Sequence, residues 1–226
     1  MNKGLMMAAF AVLLFGVAFA DMAGASVDEG TTGRYVDPRT AAPVITEGGN
    51  VTDVNVTANA STEKWAGFYG NVTGSLLLSK NVGSALYVWS WAPTAGGTVC
   101  VSTASAYTWG GLIAAVAANI DTAWSFTGTD ADSAASTLTN PCNLYINPQG
   151  AVSGVGAYTM NNAGSDTWET CAVTDGAGTG QDNTAFCVNI TAGTAAPGTA
   201  ALYQLMAPTP EAAGTDEQYY FYLELQ

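Results

Sequence analysis

The sequence predicts a mainly β protein: an antiparallel β-sandwich with one or two short helices, preceded by an N-terminal hydrophobic segment. Two observations carry this. Short runs rich in Val, Ile, Tyr, Phe and Trp recur along the chain, and Gly, Pro, Asn and Asp clusters separate them. Charged residues make up only 10% of the chain, so the dense surface charge of a helical bundle is missing. No internal repeat of solenoid period is present. The 226 residues divide into 1–25, a signal peptide or retained pilin-like helix; 26–47, an extended linker; and 48–226, the β-sandwich domain.

Met1-Asn-Lys-Gly4 is a short positive region, and Leu5 to Ala20 is an unbroken apolar run. Ala18-Phe-Ala20 before Asp21, and Ala23-Gly-Ala25 before Ser26, are small-x-small cleavage patterns, so the segment reads as a secretory signal. The run is short for a membrane span. The alternative is a pilin-type leader cut after Gly4, which leaves Leu5–Ala20 as a helix in a filament core. Membrane contact is expected only through this segment, if it stays uncleaved. The C-terminal Leu223-Glu-Leu-Gln226 carries no anchor or sorting motif.

Gly, Pro and acidic residues between 26 and 47 are linker chemistry. Part of this stretch, before Gly48, is expected to lend a strand to a neighbour. Asn50–Thr57 reads as the first strand or an edge strand. Trp65-Ala-Gly-Phe-Tyr-Gly-Asn-Val-Thr-Gly74 leads into the apolar run Leu76–Leu78 and reads as a strand entry, with Trp65 and Phe68 as anchors. In Ala85–Ala92, alternation puts Tyr87, Trp89 and Trp91 on one strand face. Thr98–Ser102 follows after Pro93–Gly97 and is expected to pair with it as a hairpin.

Leu112, Ile113, Val116 and Ile120 have helical spacing within Trp109–Asp121, and Asp130–Leu138 opens with acidic residues suited to a helix N-terminus. Strands are expected at Cys142–Ile146, Val152–Met160, Thr167–Val173, Ala185–Ile190, Ala200–Met206 and Tyr219–Leu225. In the last, Tyr219, Phe221, Leu223 and Leu225 share one face, and Tyr220, Tyr222 and Glu224 the other.

Cys100, Cys142, Cys171 and Cys187 are an even set in an exported chain and predict two disulfides. Cys171–Cys187 and Cys100–Cys142 are the favoured pairs among three possible connectivities. No close Cys pair suggests zinc. Asn50, Asn55, Asn59, Asn71 and Asn189 head five glycosylation sequons.

The net charge is −13, which disfavours nucleic acid and anionic lipid as partners. With no histidine, the Ser-His and Cys-His couples are missing, as is the commonest transition-metal ligand. Asp130, Asp132, Asp175 and Asp182 are the calcium candidates, read alternatively as helix-cap and turn residues, and no cofactor is expected. Glu63, Asp121, Glu169 and Glu211 are the carboxylates available for glycoside hydrolysis, but no motif ties two together. Trp89 and Trp91 are candidates for sugar stacking, with Trp109, Trp124 and Trp168 behind them; core packing is the plainer reading.

Four stretches together carry a resemblance: Trp65–Gly74, Leu86-Tyr-Val-Trp-Ser-Trp91, Gly128-Thr-Asp-Ala-Asp-Ser133 and the aromatic C-terminal strand. Their W-x-G-[FY]-x-G-N-V-[ST]-G pattern resembles that of a group of exported archaeal cell-surface proteins. The resemblance implies export, glycosylation and an archaeal source, and transfers no catalytic or binding residue. The expected function is a non-enzymatic structural protein outside the cell or on its surface, an envelope component or a filament or pilus-like subunit. Its partners would be copies of itself or other envelope proteins. The alternative is a secreted adhesin or carbohydrate-binding module with glycans as ligands; an extracellular hydrolase comes third.

Overall fold

A computed structural model describes residues 22–80, 83–160, 163–210 and 216–226. Residues 1–21, which include most of the signal segment expected at 1–25, and Asn81, Val82, Asn161, Asn162 and Glu211 lie outside the described residues. In chain order the strands are β1 (Ala23–Gly24), β2 (Trp65–Gly70), β3 (Ser75–Ser79), β4 (Ala85–Ser90), β5 (Gly97–Ser102) and β6 (Ile113–Ala114). Two helices follow, α1 (Ala117–Ala123) and α2 (Ala134–Thr137). The chain continues through β7 (Asn140–Ile146), β8 (Gly150–Met160), β9 (Asp166–Thr174), β10 (Thr184–Asn189), β11 (Gly193–Thr194), β12 (Ala200–Ala201), β13 (Tyr203–Pro208) and β14 (Tyr220–Leu225). The protein is mainly antiparallel β with two short helices, as its sequence predicts.

The main sheet has the order β1-β14-β5-β10-β9-β8-β7, with β6 also on β9. Its central strands, β5 and β10, are buried along nearly their whole length. Alternation splits the core in two. Val99, Val101, Phe186, Val188, Trp168 and Ala172 face one way, and a β2–β13 ribbon with α1 and α2 covers them. Cys100, Cys187, Ala185, Cys171, Val173 and Tyr222 face the other way. The two expected faces of the last strand fall into these two clusters, with Tyr219, Phe221, Leu223 and Leu225 in the first and Tyr220 and Tyr222 in the second.

The second face is closed by the sheet folding over itself. Cys142 on β7 is bonded to Cys171 on β9, with Cα atoms 5.7 Å apart, although β8 lies between the two strands in the sheet order. In a flat sheet, two strand spacings would separate them by about 9.6 Å, so the sheet rolls at β8. Glycine permits this. Gly154 stands opposite Cys142, and Gly156 opposite Cys171. A Cβ on Gly154 would sit 2.6 Å from the Ala172 carbonyl oxygen and 2.7 Å from Cys171 Sγ. Rolled over, β7 places Leu144 and Ile146 against the Cys100–Cys187 disulfide, while Tyr107, Trp109, Leu112 and Met22 fill the remaining space. At the far end, the Glu224 side chain of β14, fully buried, accepts hydrogen bonds from Asn147 N and Nδ2 just beyond β7.

Four expectations are corrected. The disulfides are Cys100–Cys187 and Cys142–Cys171, not Cys171–Cys187 and Cys100–Cys142. Cys187 lies directly opposite both Cys100 and Cys171 on neighbouring strands. It bonds to Cys100, and the roll brings Cys142 to Cys171. Second, Ala85–Ser90 pairs with β3 rather than with Thr98–Ser102. The chain leaves the hairpin course at Gly96 and Gly97, both with positive φ, and β5 enters the core between β10 and β14. Third, Asn50–Thr57 forms no strand; residues 26–62 have no helix or strand, and β2 begins at Trp65. Fourth, the helix expected over Trp109–Asp121 is the shorter α1. Gly111 turns with φ +84°, and Ile113-Ala114 pairs with Thr174-Val173 instead.

Candidate functional site

The acidic candidates are engaged in holding the fold. Lys64, 4% exposed, sits where the N-terminal arm enters β2, and its Nζ lies 2.6 Å from Asp130 Oδ2 and 2.9 Å from Asp132 Oδ1. Thr62 Oγ1 donates to Asp132 Oδ2, and Trp65 Nε1 donates to the Asp132 carbonyl. The two carboxylates raise the Lys64 ammonium above its ordinary value, and hydrogen bonds from Lys64 and then Thr62 lower that of Asp132. The cation position between Asp130 and Asp132 is thus filled by an ammonium. Asp175 accepts from Ala177 N and Asn183 Nδ2 within its own loop, and Asp182 accepts from Thr103 Oγ1. Among the described residues, no three His, Cys, Asp or Glu side chains converge as metal ligands.

Of the carboxylates considered for hydrolysis, Glu63 and Asp121 are separately occupied. Glu63 pairs with Arg34. Asp121 is buried and accepts from Ala134 N and Ala135 N at the start of α2, a capping role that its sequence position did not announce. Glu169 on β9 keeps one buried oxygen without a hydrogen bond, and burial pushes its carboxyl upward. Glu217 is also raised by burial. The buried Trp124 Nε1 has no hydrogen-bond partner among the described residues.

The aromatic candidates separate. Trp91 is half-buried, donates from Nε1 to the Gly96 carbonyl and packs on the first core cluster. Trp109, Trp124 and Trp168 are core residues. Trp89 alone is exposed, at 47%, with its ring centroid 4.7 Å from that of Tyr87. Trp65 and Phe68 anchor β2 as expected: Trp65 packs on Phe126, and Phe68 packs edge-on against Tyr219 and Phe221. All five sequon asparagines are exposed, though Asn189 Nδ2 already donates to the Asn143 carbonyl.

The feature that stands out is the β3–β4 hairpin, a two-stranded sheet of its own. Leu76 faces Trp89 and Leu78 faces Tyr87 across it, while Leu77 faces Val88. Alternation puts the first two pairs on one face and the third on the other, and all six side chains are exposed. The sequence marked Trp89 here but not Leu76–Leu78 or Val88. An unbroken apolar run signals a strand with two apolar faces, and usually a buried one. A further signal was readable: no Asp or Glu occurs between Glu63 and Asp121.

Comparison with known protein families, with curated proteins and with solved structures finds no match to this chain.

Proposed function

We propose that this protein is a non-enzymatic structural subunit of the cell surface, an envelope component or a filament-forming, pilus-like protein that associates with copies of itself. One observation carries the reading: exposed apolar surface is concentrated on two features that lack a partner in the single chain. Of the large apolar side chains exposed among the described residues, eight lie between Val27 and Val56 and seven on the β3–β4 hairpin. Apolar patches of this kind mark interaction sites. Asp121, Asp130, Asp132, Asp175, Asp182, Glu63 and Lys64 are meanwhile engaged in capping, turn hydrogen bonds and ion pairs. Two disulfides fit folding in an oxidising compartment. With the leader sequence they support an extracellular or surface location, and the motif resemblance supports an archaeal source. We read the fold as a β-sandwich in which the rolled β7–β8 hairpin and the β2–β13 ribbon serve as outer layers. Sedimentation velocity and electron microscopy of the native protein test the proposal. Ordered assemblies are expected, and a monodisperse monomer at every concentration would refute it.

The Tyr87–Trp89 ring pair supports a second reading, an adhesin or carbohydrate-binding module. A glycan array with wild type and Trp89→Ala separates the two, since only the second reading predicts a signal that Trp89→Ala abolishes.

A further inference from the structure

We propose that the β3–β4 hairpin is an acceptor site, and that it takes the Val51–Thr57 segment of a second copy of this chain as an added strand. The inference rests on the assembly reading above and names its contact.

The hairpin needs two things from an occupant. Its strands belong to a two-stranded sheet, so each presents an outer edge of backbone N–H and C=O groups. Both of its faces are apolar, with Leu77 60% and Val88 53% exposed on one and Leu78 51% and Tyr87 57% exposed on the other. A lone hairpin of this size is marginal in water. A lipid surface would cover the faces and leave the edges without hydrogen-bond partners. An added β-strand supplies the edge with hydrogen-bond partners and carries the apolar faces on into a wider sheet.

The chain contains a matching strand that is unused. Asn50-Val-Thr-Asp-Val-Asn-Val-Thr57 has strand composition, yet it has no strand partner, and Val51 and Val56 are almost fully exposed. Laid out as a strand, it places Val54 and Val56 on one face of the extended sheet and the sequon residue Asn55 on the other. Its own hairpin is not its partner in the structure. The arm is tied back on itself by Arg34–Glu63, by Arg39 to Asp37 and to the Thr57 carbonyl, and by Ser61 to the Tyr35 carbonyl.

Charge selects this occupant over a second hairpin. The hairpin lies inside the stretch without acidic residues and carries Lys80, whereas the arm holds Asp28, Glu29, Asp37, Glu47 and Asp53 against Arg34 and Arg39. Arm on hairpin therefore brings opposite charges together, whereas hairpin on hairpin offers no such complement. Donor and acceptor are different surfaces, so the contact is head-to-tail and propagates instead of closing as a dimer.

The test uses the full mature chain. Leu77→Glu with Val88→Glu alters the acceptor, and Val54→Asp with Val56→Asp alters the donor; all four positions are exposed, and a thermal melt verifies that each variant folds. Sedimentation velocity should show both double variants needing at least tenfold more protein to assemble. Among the described residues no cysteine is free, so an introduced thiol reports contact. A mixture of Val54→Cys and Leu77→Cys chains should form the mixed disulfide dimer in excess over either homodimer. Wild type that assembles while both double variants assemble equally well overturns this inference and leaves the assembly reading standing. Wild type that stays monomeric overturns both. Loss of assembly in the hairpin variant alone, with Leu77→Cys homodimers, overturns the arm as occupant. Hairpin-dependent flotation with phosphatidylcholine vesicles, without self-association, overturns it in favour of a membrane.

Discussion

Glu224 is the strongest single test of how the fold closes. Its side chain is fully buried on β14, and it receives Asn147 N at 3.0 Å on Oε2, with Asn147 Nδ2 at 2.5 Å and Gln226 Nε2 at 3.1 Å on Oε1. These bonds join the last strand to the far end of the rolled β7–β8 hairpin. Glu224→Ala strands two buried donors on Asn147 and opens a cavity, a cost of about 4 kcal/mol. Glu224→Gln keeps the shape. Its Oε1 can still accept from Asn147 N, and a flip of the Asn147 amide turns the remaining contact into an acceptor for the new NH2. Charge assistance and the bond from Gln226 Nε2 are lost, about 1–2 kcal/mol together. Urea unfolding with the disulfides intact reads both, as shifts in midpoint at unchanged slope. If Ala costs under about 1 kcal/mol, or if Gln costs as much as Ala, the clamp does not hold the roll.

Three further outcomes follow from the geometry. Gly154→Ala should cost about 2–3 kcal/mol, because the new Cβ meets the Ala172 carbonyl. Gly67→Ala, with nothing within 4 Å of its Cβ, should stay within about 0.5 kcal/mol; equal effects in the same urea assay would contradict the roll at β8. Replacing Cys142 and Cys171 together by Ala should cost about 3.6 kcal/mol, and replacing Cys100 and Cys187 about 4.6, from loops spanning 29 and 87 residues. Non-reducing peptide mapping checks the pairing, and a Cys171–Cys187 link would overturn it. On acidification the arm should loosen before the domain does. Arg39 holds the Asp37 carboxyl down to about 2, and Arg34 lowers that of Glu63. Such carboxylates contribute stability above their ordinary range, and it is lost as pH falls towards 2. Glu169 and Glu217, raised by burial, run the other way and favour the fold at low pH. Pepsin should therefore nick residues 34–63 increasingly between pH 4 and 2, with the domain intact; protection that does not change over this range would refute the ion-pair tether.

Local pattern was legible wherever a strand is half-buried or bounded by turns. The alternation in Tyr219–Leu225 assigned both faces, because period two is a property of the strand itself. Pairing between distant strands was not legible. Thr98–Ser102 follows Ala85–Ala92 closely and looked like its hairpin partner, but a strand centred on Val99-Cys100-Val101 gains more by entering the centre of a sheet, where both of its faces are covered. The disulfides failed for the same reason. Sequence proximity favoured Cys171–Cys187, while the real constraint was a fold in the sheet that Gly154 and Gly156 permit, and two glycines among many carry no visible sign of which pair does this. Asn50–Thr57 had the composition of a strand, yet among the described residues it pairs with no strand.

That last mismatch differs from the others. Where the sequence erred on Thr98–Ser102, another strand supplied the missing partner. Where it erred on Asn50–Thr57, no described strand did, and the β3–β4 hairpin is a two-stranded sheet with exposed apolar faces. The motif stretches sharpen the contrast. Trp65 reaches the Asp132 carbonyl, and Phe68 meets Tyr219 and Phe221, so three of the four resembling pieces are joined to one another inside the domain. The fourth, Leu86–Trp91, forms most of the exposed strand. Within that stretch Trp91 packs on the first core cluster while Leu86, Tyr87, Val88 and Trp89 stay exposed, so the covered and uncovered parts of the hairpin meet at its last residues.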